Sequence, residues 1–170
     1  MELPLGSSIA SAHVHMRGDR PDLVEWLTGA VAQETGFRCY RTEWRRLGAI
    51  IPQVGVATEP VGLTIQVESD PDFVPAERDE LIEELNGLVN ETALGRLKLA
   101  TSRLAIMSVA HPDTEVTAAS ITMGASTNLD PRSPQVDRVL RALVALTDGV
   151  AIDLVNGGVL STPDGAWVAF

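Results

Sequence analysis

His13-Val14-His15 is the sharpest chemical signal in the chain. Residues two apart on a strand project from one face, so both imidazoles would reach a single metal ion. Acidic residues that would complete such a site stand ahead of predicted helices: Asp70 and Asp72 foremost, with Asp19, Glu68 and Asp130 as further candidates. Histidine with carboxylate suits a divalent ion that activates water. The expected metal set is therefore His13, His15, Asp70 and Asp72. Two plainer explanations compete. Alternation alone would leave both histidines on the solvent side of a half-buried strand, and carboxylates before helices follow from capping and the helix dipole.

The string Ala12-His13-Val14-His15-Met16-Arg17 resembles the metal-binding first strand of the amidohydrolases. What that resemblance implies is a metal-dependent hydrolase. It covers these six residues alone. Those enzymes are barrels, and 170 residues fall below the roughly 200 that the barrel usually needs.

Residues 37–46 form a second constellation, with Arg38, Arg41, Arg45 and Arg46 against Glu43, and with Tyr40 and Trp44 interleaved. Arginine with aromatics is a composition favoured in binding hot spots and one that grips phosphates or stacks bases. The expected partner-binding set is Arg38, Tyr40, Arg41, Trp44, Arg45 and Arg46. A charged edge strand, guarded against unwanted pairing, accounts for the same residues without a ligand. A formal charge of −10 opposes nucleic acid, so a protein partner, a second copy of the chain included, is the better expectation. Trp44, Trp167 and Phe170 would seal such a homodimer.

Other templates fail. No phosphate-cradling Gly-rich loop, dinucleotide fingerprint or Gly-x-Ser-x-Gly turn is present. Residues 124–128 suggest at most an anion-binding loop, and residues 111–113 a turn. No organic cofactor is expected; a divalent metal is the one cofactor the side chains would take.

These residues need elements to position them. Three times a predicted strand passes through an acidic loop into a proline suited to the first helical turn: residues 9–17 into Pro21, 61–68 into Pro75, 116–124 into Pro134. Helices are predicted over 21–35, stopped by Gly36; over 75–94, stopped by Gly95; and from 134, capped by Ser133 and stopped by Gly149. Further strands are predicted over 37–46 and 103–110, with a hairpin over Asn156-Gly157. Residues 47–60 read as an edge strand or apolar loop, since Pro52 is unsuited to a sheet centre. The order predicts one α+β domain over 1–170. It is a two-layer sandwich of repeated β-α-β units with a ferredoxin-like start, a mainly antiparallel sheet and helices on one face.

The composition fits that class. An apolar fraction of 45% with 21% charged residues is that of a globular protein, and only seven aromatic residues leave the core to aliphatics. A lone Cys39, no basic-then-apolar leader and no long apolar run point to a cytoplasmic protein without a membrane span. The expected function is a non-enzymatic domain that works by binding a protein, a second copy of itself included. Its rivals are a small metal-dependent hydrolase using His13 and His15, and an anion or nucleic-acid binder using the arginine strand.

Overall fold

A computed structural model describes residues 10–59, 62–109 and 129–170. The alternating stretch with the two histidines forms β1 (Ala12–Met16), which lies inside an antiparallel sheet. The other strands are β2 (Cys39–Arg46), β3 (Ala49–Val56), β4 (Gly62–Glu68), β5 (Ser102–Val109), β6 (Val150–Asp153), β7 (Gly158–Leu160) and β8 (Val168–Ala169). The helices are α1 (Leu23–Thr35), α2 (Val74–Leu85), α3 (Glu91–Leu99) and α4 (Pro134–Thr147).

The eight described strands run in the order β2-β3-β4-β5-β1-β6-β7-β8. Every described pair is antiparallel. The α+β class is as expected. In the ferredoxin-like split unit β4 would lie beside β1, and the described strand order does not confirm that unit. Instead β5 inserts between β4 and β1 and pairs antiparallel with both. Consequently β1 and β4 point the same way and deliver their C-terminal ends to one edge of the sheet.

Helices cover both faces, which corrects the one-sided sandwich. Ala12, Val14 and Met16 pack with Leu27 and Val31 of α1 and Val139, Leu140 and Leu143 of α4. On the opposite face Val150, Ile152 and Val159 pack with Leu81 and Leu85 of α2 and Leu97 of α3. The reason is legible in β6, whose run Val150-Ala151-Ile152 is apolar on both sides and must be covered on both. In the same way Thr64 and Gln66, the polar side of β4, are buried, and Gln66 Oε1 accepts a hydrogen bond from Gln53 Nε2 at 2.8 Å.

Several boundaries move for local reasons. The single helix expected over 75–94 is two. Gly87 takes φ 89° after Asn86, and Asn90 then caps α3, its side chain accepting from the Ala93 N–H at 2.9 Å. Gly95 therefore lies within a helix rather than ending one. Pro21 sits in the turn before α1, whereas Pro75 and Pro134 do open α2 and α4. Ser133 makes no side-chain cap; its hydroxyl donates to the Asp130 carbonyl instead. The left-handed residue ending α4 is Asp148, while Gly149 is needed because a Cβ there would lie 2.8 Å from the His15 carbonyl oxygen.

β3 is a strand between two others, yet its proline obeys the edge rule. Pro52 is opposite Glu43 of β2, and pairing with β4 begins only at Gln53. Tyr40 of β2 lies across Gly55, where an added Cβ would come within 2.4 Å of the ring. The strand expected over 116–124, the loop 124–128, the turn 111–113 and the side chains of residues 44–46 lie outside the described residues. Among those described, no helix is long and apolar enough to cross a membrane.

Candidate metal centre

In β1, His13 is opposite Ala105 and Ile152, and His15 is opposite Arg103 and Val150. Both imidazoles therefore point to the face covered by α2 and α3, and they are 3% and 1% exposed. The solvent-facing expectation fails because that face carries its own helices. The rings stand edge to face, 6.1 Å between centroids. None of their four nitrogens has a hydrogen-bond partner. An unsatisfied buried polar group costs about 1–3 kcal/mol, so four of them call for a missing partner.

Burial, helped by the Arg103 guanidinium, lowers the His13 pKa to about 4 despite the nearby Glu68 carboxylate. Burial first, then His13, Arg103 and Arg78, lower that of His15 to about 3. Both rings are thus neutral near pH 7, the form in which histidine binds metal.

Glu77 enters from the first turn of α2. Its Oε1 lies 3.3 Å from His13 Nδ1. With the ring neutral this approach is not an ion pair. One ligand atom each from His13, His15 and Glu77 lie within 4.8 Å of one another. The turn that aims Glu77 is shaped by Asp70, whose carbonyl accepts from the Phe73 and Val74 N–H groups and whose carboxylate accepts from the Asp72 N–H at 2.9 Å. Asp70 and Asp72 are themselves exposed. These two expected ligands build the turn, and the carboxylate beside the imidazoles belongs to Glu77.

The rest of the cluster is anchored by Arg103, which is 2% exposed. Register places it opposite both His15 and Glu68. Its Nε and Nη2 each donate to Glu68 Oε2 at 2.6 Å, and Nη1 meets the second oxygen of Glu77. The Phe73 ring covers the guanidinium at 4.7 Å. One carboxylate oxygen of Glu77 faces His13 while the other faces the Arg103 guanidinium. Glu68 and Glu77 both face the Arg103 guanidinium, and Arg78 stands near enough to act on His15.

The wider convergence expected at this sheet edge is partial. His15 and Glu68 meet through Arg103, but Asp19 pairs with Arg17 at 3.5 Å and Asp130 accepts from Arg132 and Asn156. Glu77 and Arg103 were missed by sequence. Arg103 alone left a trace, being a charged residue heading an otherwise apolar strand.

Two arginines of the expected partner-binding set have neighbours within the chain. Arg38 lies over the Tyr40 ring at 5.2 Å, and Arg41 pairs with Glu25 of α1. Trp167 is partly buried, its Nε1 donating to Asp137 Oδ1 at 2.7 Å, whereas Phe170 is exposed. Cys39 is half-buried against the core, and burial pushes its thiol up to about 11. Compared with protein-family models, curated proteins and solved structures, the chain matches none.

Proposed function

We propose that this chain is a divalent transition-metal-binding domain in which His13, His15 and Glu77 hold the ion. The observation that carries this reading is that one buried, unpartnered nitrogen of each histidine lies within 4.8 Å of the other and of a Glu77 carboxylate oxygen. Zinc is the first choice, because two nitrogens and one oxygen fill three places of its usual tetrahedron. The fourth place is then open to water. A hydrolytic activity would use that water, activated by the ion, with Arg103 keeping Glu77 in position. The same donor set also suits non-haem iron(II).

Calorimetric titration of metal-free protein with zinc tests the reading. Wild type is expected to bind about one equivalent, Glu77→Gln at least about tenfold more weakly, and His13→Ala/His15→Ala not at all. No heat from folded wild type, or binding retained by the double variant, overturns it.

A second reading, self-association, is favoured by the tip of the β2–β3 hairpin. Leu47 is 97% exposed at φ 49°, and Ile50 is 56% exposed. An apolar side chain held out in a left-handed turn suits insertion into a partner. Light scattering at micromolar concentration is expected to give a dimer that Leu47→Asp dissociates. A wild-type monomer removes this reading.

A further inference from the structure

On the other side of β1, independent of the metal centre, a groove of about 330 Å³ opens between the C-terminal end of the strand, the start of α1 and the end of α4. Met16, the residue after His15, is among its lining residues, with Leu23 and Trp26 of α1 and Leu146 of α4. Arg17 and Arg20 stand beside these apolar groups. Apolar side chains beside charged ones, in a groove whose volume is at the lower end of the usual range, can seat a small molecule that carries both characters. We propose that the groove binds a small monocarboxylate with an apolar, ring-sized body.

The charge follows from the two arginines. Arg17 reaches Asp19 at 3.5 Å and Arg20 reaches Asp22 at 3.6 Å. All four side chains are about half exposed or more, and ion pairs of that kind hold weakly. A ligand carboxylate can displace the aspartates and take a bidentate guanidinium contact. The Arg20 guanidinium is already stacked on Trp26 at 4.4 Å, which orients it at the groove. The N-terminus of α1, whose Asp22 makes no side-chain cap, adds positive potential beside it.

The walls are held by close approaches. Gly149 brings the end of α4 against the backbone of β1, and Gly18 packs where a Cβ would overlap the Ser102 side chain. The Gly18 N–H also donates to Thr101 Oγ1 at 3.0 Å. The loop bearing both arginines is therefore pinned at one end while their side chains stay at the surface.

Calorimetric titration with phenylacetate, using acetate and benzyl alcohol as controls, tests this. Phenylacetate is expected to bind saturably below about 10 mM, with both controls at least about tenfold weaker. Arg17→Gln/Arg20→Gln, which alters exposed side chains, is expected to weaken phenylacetate about tenfold without changing the melting temperature. Leu146→Trp, which fills the groove, is expected to block it. No saturable binding to wild type, benzyl alcohol binding as well as phenylacetate, or unchanged affinity in the arginine double variant each overturns the proposal.

Discussion

At the scale of residues, the two buried histidines make stability depend on pH. Their folded pKa values, about 4 and about 3, lie below the usual histidine value of 6.5. Below pH 6.5 the unfolded chain takes up protons that the folded chain refuses, so stability is full above that pH and falls toward pH 3. Each ring contributes a slope of up to about 1.4 kcal/mol per pH unit across the window. Urea unfolding of metal-free protein between pH 7 and 4.5 is expected to show this loss, and His15→Leu to remove about half of it. A variant as acid-sensitive as wild type would contradict the assignment. The strand that carries the pair was legible because period-two alternation is local. Glu77 was not, since no spacing along the chain relates a residue in the first turn of α2 to one on β1.

At the scale of elements, the two-helix arrangement of α2 and α3 lets one layer both aim Glu77 and cover the face with the histidines. The break at Asn86-Gly87 and the cap at Asn90 were present in the sequence, but an apolar stripe through Leu81, Leu85, Leu88 and Val89 read as one continuous helix. Tertiary packing settles the matter: Leu85 and Leu97 both enter the core beneath α2 and α3, whereas Leu88 is 45% exposed between them. Asn90→Ala removes the cap and is expected to cost about 1 kcal/mol in urea denaturation. A neutral result would mean that α3 does not depend on its cap. By contrast the buried face of α4 was readable, since Val136, Val139, Leu140 and Leu143 keep one helical face buried, although its cap and its stop were not.

At the scale of the whole molecule, the insertion of β5 between β4 and β1 is what makes the centre. It aligns β1 and β4 and sets Arg103 between His15 and Glu68, a relation that an ordering of predicted strands along the chain does not contain. The α+β class followed from element types; the central histidine strand and the helices on both faces followed from pairing, which is non-local. The most direct test of the central claim is X-ray absorption at the zinc edge on protein reconstituted with one equivalent of zinc. Ligation by His13, His15 and Glu77 predicts a nitrogen and oxygen shell at about 2.0–2.1 Å with outer-shell scattering from two imidazoles. A sulfur shell at about 2.3 Å, which would implicate Cys39, or zinc with no imidazole scattering, would contradict it.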